Sequence, residues 1–233
     1  IPEELKSLRQ WAMWKREIRD GKPAKVPYQP DGKRARSNDS STWCNFSIAL
    51  MAFQDIGGFD GICFMMPTAP GDLVFIDIDH CIKDSTIEPW AQEVVERFNS
   101  YTEVSQSGKG LHILIKGKKP IQRCRKAGSP FEIYDCLRPC YLTGDVVEGH
   151  ATIEARQEVL DWLFEKIFAA ELQQAGQGPD SKPSPAHSSL SDEALILKAT
   201  LSKGGNEFKA LFDGSTLGYN GDDSAADMAL MNK

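Results

Sequence analysis

Two aspartates near the end of an apolar segment are the first residues whose type and spacing suggest chemistry. Asp77 and Asp79 follow the apolar run 73–76 in the segment LVFIDIDH. Because side chains alternate across a β-strand, both carboxylates would lie on the same face of that strand. Two like charges in a half-buried position repel each other and favour a bound cation. Mg²⁺ is commonly held by one or two carboxylates together with substrate phosphates, so the pair predicts a metal site.

Two later segments, LHILIK at 111–116 and FEIY at 131–134, show the same alternation. Each places aliphatic or aromatic residues on one face and a polar residue, His112 or Glu132, on the other. If the three strands are neighbours, three carboxylates and one imidazole meet on one open sheet surface, and helices cover the opposite face. That arrangement would suit two divalent ions about 3.5–4 Å apart and phosphoryl transfer. A DxD pair or a strand histidine alone is weak evidence, and the shared phase is what favours a site.

A short turn leads into the histidine segment. Ser107, Gly108 and Lys109 precede Gly110 in SQSGKGLH. Glycines let backbone N–H groups approach a phosphate closely, and the serine and lysine add a donor and a charge. The spacing differs from that of a P-loop. A plain hairpin turn explains the glycines equally well.

The charge of the chain is unevenly distributed. The net charge is −6, yet segment 15–36 holds eight basic and three acidic residues, and segment 109–126 holds seven basic residues and no acidic one. Two basic clusters on an acidic chain suggest a directed phosphate-binding surface. Solvated, lysine-rich loops would give the same counts.

The elements that would position these residues form an α/β pattern of short strands and helices. The sequence predicts a strand over 10–17, a loop over 20–40, and helices over 41–53, 85–99 and 153–172. We therefore expect one catalytic domain over 1–172. The segment 173–189 is rich in Pro, Ser, Gly and Gln and predicts a flexible linker. Segment 190–233 reads as helix, turn and helix, and predicts the start of a small helical domain that is cut short.

Composition excludes several classes of protein. Hydrophobic content is 41%, and no apolar run reaches the roughly 20 residues that a membrane span needs. The first residues lack the features of a signal peptide, and six scattered cysteines without a CxxC pair predict reduced thiols and a cytoplasmic location. A zinc site made by His80, Cys81, Cys136 and Cys140 is an alternative, but its spacing matches no standard pattern.

Taken together, these motifs resemble the archaeo-eukaryotic primase, or prim-pol, superfamily, in particular its phage and mobile-element branch. The matching features are Asp77-Ile78-Asp79, the segment SGKGLH that ends at His112, and the third carboxylate at Glu132. Three flanking segments are also similar to the family, namely WKREIRDGKPAKVPYQP, SNDSSTW and FEIYDCLRPCYLTG. The resemblance covers roughly residues 8–150. It implies an RRM-like antiparallel catalytic sheet with flanking helices and a small N-terminal α/β module.

The resemblance also implies an activity: template-directed, metal-dependent nucleotidyl transfer for primer synthesis and extension in phage or mobile-element replication. Asp77, Asp79 and Glu132 would be catalytic and would hold a two-metal site of Mg²⁺ or Mn²⁺. The incoming nucleotide, a dNTP or an NTP, would be bound by Ser107, Gly108, Lys109, His112 and Arg138. Implied partners are a single-stranded DNA template and a replicative helicase, in the same chain or separate, with no membrane.

Template DNA would lie along the first basic segment, on Lys25, Tyr28, Lys33, Arg34 and Arg36. Trp11 and Trp14 could stack on bases, although core packing is the favoured interpretation. The sequence departs from the family at Leu137-Arg138-Pro139, where relatives often have Gly-Arg-aromatic, and Tyr141 is the candidate for the displaced aromatic. A non-catalytic nucleic-acid-binding module and a metal-dependent nuclease remain open alternatives.

Overall fold

The computed structural model describes residues 1–19, 21–176, 200 and 209–210 of the chain. Most of the predicted helical tail 190–233 and most of the predicted linker lie outside these residues. Within the described part, no helix combines the length and the apolar character that crossing a membrane would require. The helices are α1 (Glu3–Lys6), α2 (Phe46–Met51), α3 (Pro89–Phe98) and α4 (Gln157–Gly176). The strands are β1 (Trp11–Arg19), β2 (Lys22–Tyr28), β3 (Gly61–Met65), β4 (Leu73–Ile78), β5 (Ile82–Lys83), β6 (Thr86–Ile87), β7 (Tyr101–Val104), β8 (Leu111–Lys116), β9 (Phe131–Tyr134), β10 (Pro139–Cys140) and β11 (Glu154–Ala155).

A five-stranded sheet contains the three strands that the alternation predicted. Its order is β11-β8-β4-β9. Strand β7 also pairs with β8, along residues 111–114, whereas β11 pairs with residues 115–116. Strand β4 lies in the centre and pairs antiparallel with both β8 and β9, and only β11 runs parallel to its neighbour. The prediction of a mixed α/β fold with an antiparallel sheet, in which the strands of Asp77, His112 and Glu132 are neighbours, is therefore confirmed.

One face of this sheet is covered by helices α3 and α4. Val74, Ile76 and Ile78 of β4 are almost fully buried there against aliphatic residues of β8 and β9. The helices contribute apolar residues at helical spacing, which are Ala91, Val94, Val95, Phe98, Leu160, Leu163, Phe164 and Ile167. Helix α3 begins at Pro89, whose fixed φ suits a first helical position. Asn99, the residue that follows the helix, has a left-handed φ of 37°. This face is a dry core, as the sequence predicted.

The opposite face is not the open surface that the sequence predicted. A second sheet, in the order β10-β3-β1-β2, lies against it. Phe75 and Leu114 of the five-stranded sheet are buried with Trp11, Met13 and Phe64 of the four-stranded sheet. Because this second core covers most of the face, polar residues are accessible only towards the end of β4.

Strand β2 corrects the prediction of a loop over 20–40. Pro23 and Pro27 suggested irregular backbone, yet they pair in register with Ile18 and Trp14 of β1. The strand is at the edge of its sheet, where a residue without an N–H donor is tolerated. The prolines therefore mark an edge strand and do not interrupt it.

Two helix starts also differ from the predicted ones. Residues Ser40–Thr42 form an isolated helical turn, capped by the side chain of Asp39, and α2 begins only at Phe46. The predicted helix 153–172 begins at Gln157, because β11 occupies Glu154–Ala155 as a parallel partner of β8. Local pattern alone did not reveal this pairing, which is a tertiary contact.

All six cysteines are free, and the two predicted stacking tryptophans are core residues. Burial raises the pKa of Cys44 and of Cys81 to about 11, so both thiols are protonated at neutral pH. Cys81 and Cys140 are buried in different cores, which contradicts the zinc alternative. Trp11 is fully buried and Trp14 is 3% exposed, as the core interpretation predicted.

Candidate active site

Asp77 is the centre of the polar cluster. It pairs in register with His112 on one side and with Glu132 on the other. Directly opposed residues of antiparallel strands point to the same face and lie close together. The Nε2 atom of His112 is 3.9 Å from Oδ1 of Asp77. Asp79 follows one residue after β4, where it is exposed and its backbone N–H donates to the carbonyl oxygen of Pro130. The structure thus brings the four predicted residues to one end of the sheet.

The electrostatic environment of Asp77 favours a cation. Burial raises the pKa of Asp77 above its ordinary value, and the carboxylates of Asp79 and Glu132 raise it further, whereas His112 and Arg138 act in the opposite direction. The net shift is upward, so the negative charge of Asp77 is destabilised in this position. A positive group bound between the carboxylates would relieve that cost.

Glu132 is engaged by neighbouring side chains. One carboxylate oxygen is 3.2 Å from Nη1 of Arg125, and the other is 3.5 Å from Nη2 of Arg138 and accepts a 2.6 Å hydrogen bond from the hydroxyl of Tyr134. The guanidinium of Arg138 also lies over the Tyr134 ring, 4.5 Å from its centroid. Arg138, which the resemblance placed near the nucleotide, is therefore within reach of the cluster.

His112 is 4% exposed, although the sequence placed it on an open surface. Phe75 packs beside it, with ring centroids 5.0 Å apart. Its Nδ1 atom is 2.8 Å from Oε1 of Glu103, a fully buried residue of β7 that pairs with His112 in register. Only the Nε2 edge of the imidazole remains directed towards Asp77.

A cavity of about 330 Å³ opens above the cluster. It is lined by Lys25, Phe75, Asp77, His112, Arg138, Pro139 and Tyr141. The Lys25 amine lies 4.9 Å from the centroid of the Tyr141 ring and donates to Oε1 of Gln106 at 2.7 Å. Partial burial lowers the pKa of Lys25, and attraction to Asp77 opposes that shift. Two cations and an imidazole therefore face one carboxylate in a cavity that could take an anionic ligand.

The Ser107–Lys109 turn lines a separate cavity of about 550 Å³, together with the segment 80–85. Gly108 has φ of +68°, and the Lys109 N–H donates to Oγ of Ser107. Gly110 is needed for packing, because a Cβ atom there would lie 2.6 Å from the carbonyl oxygen of Ile78. The five predicted nucleotide-binding residues are thus divided, with His112 and Arg138 in the first cavity and the turn in the second.

The predicted DNA-binding residues of the first basic segment also lie in different environments. Lys25 lines the central cavity, whereas Lys33 pairs with Asp31 at 2.9 Å and Arg34 pairs with Glu17 at 2.9 Å. The hydroxyl of Tyr28 also bonds to Glu17, and the Tyr28 ring packs near Phe59. Arg36 is exposed. The DNA-binding role of these residues stays a prediction.

Most cations of the second basic segment serve the fold. Lys116 pairs with Glu4 at 2.7 Å, and Lys126 donates to the carbonyl oxygen of Ile167 at 2.6 Å. The side chain of Lys119 is 1% exposed and pairs with Asp135. Arg125 contacts Glu132 as described above. The remaining cations of the segment, Lys109, Lys118 and Arg123, are exposed.

The magnesium or manganese site that the resemblance implies requires oxygen ligands at the end of β4. Asp77, Asp79 and Glu132 supply carboxylate oxygens, the ligands that such hard cations prefer. As their side chains lie, however, no three His, Cys, Asp or Glu groups of the described residues converge closely enough to form a complete metal site. Glu132 would have to exchange contacts with its arginines for contacts with a metal.

Comparison with known proteins bears on this cluster. No protein-family model matches the chain. Over 199 residues, which cover 82% of this chain, the sequence is 32% identical to the DNA primase-polymerase of Nitratiruptor phage NrS-1. The chain is related to the phage branch of the primase-polymerases. It spans only about a quarter, 26%, of the length of that phage enzyme.

Glu103 is the residue that sequence reasoning missed. It lies four positions before Ser107, and nothing in its local pattern distinguishes it from an exposed strand glutamate. Its importance follows from the pairing of β7 with β8, which buries it beside His112. The sequence assigned Lys25 to the DNA-binding surface. Its place in the central cavity depends on the pairing of β2 with β1, which the sequence did not predict.

Proposed function

We propose that this chain carries the nucleotidyltransferase site of a phage-type DNA primase-polymerase. The observation that carries the proposal is the register of the central sheet, which places Asp77 between His112 and Glu132 below a cavity lined by Lys25 and Arg138. The relationship to a phage DNA primase-polymerase supports the same assignment. In the proposed reaction, directed by a DNA template, the 3′-hydroxyl of a primer or of a first nucleotide forms a bond to the α-phosphorus of the incoming nucleoside triphosphate, and the bond to the β-phosphate breaks with release of pyrophosphate.

Each polar group has a role that follows from its position. Asp77, Asp79 and Glu132 would hold Mg²⁺ or Mn²⁺, which supply positive charge against the charge that develops in phosphoryl transfer. His112, through Nε2, and the cations of Lys25 and Arg138 would bind and orient the triphosphate. The Ser107–Lys109 turn and the exposed cations would bind further phosphates of the nucleic acid.

The test is primer extension on a single-stranded template with Mg²⁺ or Mn²⁺ and a full set of nucleotides. Asp77→Asn and Asp79→Asn should each abolish extension, because each removes a carboxylate of the proposed metal site without a change in size. Glu165→Gln is the matched control, since Glu165 is an exposed carboxylate on α4 and its loss should leave the rate unchanged.

Three results would contradict the proposal. Equal extension by wild type and by both asparagine variants would reject the role of the cluster. Cleavage of DNA by wild type in the presence of metal and in the absence of nucleotides, without any extension, would identify a nuclease. Metal-independent DNA binding without either reaction would identify a non-catalytic module on the same fold.

A further inference from the structure

A buried carboxylate lies directly behind the candidate nucleotide-binding histidine. Glu103 is fully buried in β7 and takes no part in lining the cavity that contains Asp77 and His112. An ionised side chain in such a place is costly unless every oxygen is hydrogen-bonded. Its presence next to His112 therefore needs an explanation in terms of the groups that surround it.

Each oxygen of Glu103 has two partners. Oε1 is 2.8 Å from Nδ1 of His112 and accepts the backbone N–H of Thr143 at 2.9 Å. Oε2 accepts the hydroxyl of Tyr101 at 2.7 Å and the backbone N–H of Gly144 at 2.9 Å. Burial acts to raise the pKa of Glu103, but hydrogen bonds from His112, Tyr101 and Gly144 outweigh burial and hold it below the ordinary value.

This arrangement determines which nitrogen of His112 carries a proton. A carboxylate that already accepts three other hydrogen bonds can only accept at its fourth position, so the Nδ1 atom of His112 must be protonated and donate. The ring is then held in one orientation, with Nε2 directed towards Asp77 at 3.9 Å. The same carboxylate binds the 143–144 backbone, two residues after Tyr141, which lines the cavity.

We propose that Glu103 is a positioning residue for nucleotide binding: it fixes the ring of His112 with Nε2 facing the cavity and anchors the segment that carries Tyr141. The role rests on the proposed function, because His112 is taken to contact the triphosphate. Carboxylates behind active-site and metal-bound histidines act in the same manner, by fixing the tautomer and the ring orientation.

The first experiment separates this role from a merely structural one. Glu103→Gln should lower kcat/KM for the incoming nucleotide by about 10- to 100-fold, the range seen for outer-shell partners of histidines. The same substitution in a His112→Ala background should lower kcat/KM by a smaller factor, because the histidine is already absent and only the anchoring of the segment that carries Tyr141 can still be lost. An equal loss in both backgrounds would overturn the proposal.

Tyr101→Phe is the matched control. It removes one hydrogen bond from the same carboxylate, keeps the aromatic ring in the core and leaves the contact with His112 intact. We expect a change in kcat/KM of less than about threefold, well below the effect of Glu103→Gln. A loss as large as that of Glu103→Gln would show that general stability of the network, and not the histidine, controls activity.

A second measurement does not depend on activity. Long-range ¹H–¹⁵N correlation spectra of the wild-type chain, with the His112 signals assigned by their absence in His112→Ala, report which ring nitrogen is protonated. We expect protonated Nδ1 and a single ring environment. An unprotonated Nδ1 would overturn the proposal even if Glu103→Gln fails to fold. Protonated Nδ1 in a chain that extends no primer would reject the proposed function while leaving the positioning of the ring intact.

Discussion

The two faces of strand β4 have opposite physical characters. The side chains of Val74, Ile76 and Ile78 are fully buried, and they belong to one hydrophobic core with residues of α3 and α4. On the other face Phe75 is buried, but Asp77, two residues further, lies at the edge of a polar cavity. One strand thus provides stability through one face and reactive groups through the end of the other. Loss of stability and loss of activity should therefore be separable by substitutions at adjacent positions.

The largest expected effect is on activity alone. Asp77→Asn should lower the extension rate by about 1,000-fold or more, equivalent to about 4 kcal/mol, because an amide replaces the charged carboxylate that we propose as a metal ligand. Thermal or urea unfolding at neutral pH should show stability equal to or greater than that of wild type. The reason is that the folded-state pKa of Asp77 is raised, so its stabilising contribution exists only when it is protonated and is lost as pH rises through that pKa. A variant that unfolds easily would contradict the separation of the faces.

The second prediction concerns the opposite face. Ile76→Ala should destabilise the fold by about 3 kcal/mol, because it leaves a cavity in a core that lies between the sheet and both helices. Below its unfolding transition, the variant should keep extension activity within a few-fold of wild type. Urea unfolding and a primer-extension assay on the same preparation would measure both quantities. A loss of activity comparable to that of Asp77→Asn would show that the two faces are coupled.

A smaller substitution should disturb both faces together. Gly110→Ala places a Cβ atom 2.6 Å from the carbonyl oxygen of Ile78, immediately before Asp79. We expect about 1–3 kcal/mol of destabilisation from the displaced backbone and a reduced extension rate from the shifted carboxylate. Gly149→Ala is not a suitable control, because Gly149 has positive φ. The suitable control is Ala127→Gly, at an exposed loop position, which should change neither quantity appreciably.

The smallest expected effect concerns the cations. Lys25→Gln should raise the apparent Kd for a nucleoside triphosphate about tenfold, equivalent to about 1.4 kcal/mol, because the Lys25 amine lines the central cavity. Lys22→Gln on the same strand removes the same charge from a position that does not line the cavity and should have little effect. Fluorescence or calorimetric titration would compare the two variants. An equal increase in Kd in both variants would indicate that nucleotide binding depends only on the net charge of the β1–β2 hairpin.

The alternation of LVFIDIDH, LHILIK and FEIY was sufficient to predict three strands, their shared phase and one buried face. Period-two patterning is a local property, and the burial of β9 follows it, whereas most residues of β4 and β8 are buried on both faces. The prediction that the polar face is open was wrong, because covering it depends on strands from the N-terminal third of the chain. No local signal in 73–80 indicates that Phe75 belongs to the same buried core as Trp11.

Predictions from residue type alone also failed where the position of a residue in the fold gives it a different role. Pro23 and Pro27 predicted a loop, and edge pairing accommodates both. The lysines and arginines of 109–126 predicted a phosphate surface, but Lys116, Lys119 and Lys126 make intramolecular contacts. Charge counts along a sequence do not distinguish cations that are available to a ligand from those that hold the fold together.

Strand β10 has a consequence for experiments that divide the protein. Soon after β9 ends, the chain crosses from the five-stranded to the four-stranded sheet, where Pro139 and Cys140 pair with Met65 and Phe64. Deletion of the first seventy residues would leave β10 without a partner and would expose Phe75 and Leu114 to solvent. The residues that line the central cavity therefore cannot be isolated on a fragment that lacks the N-terminal strands, because β10 needs β3 as its partner.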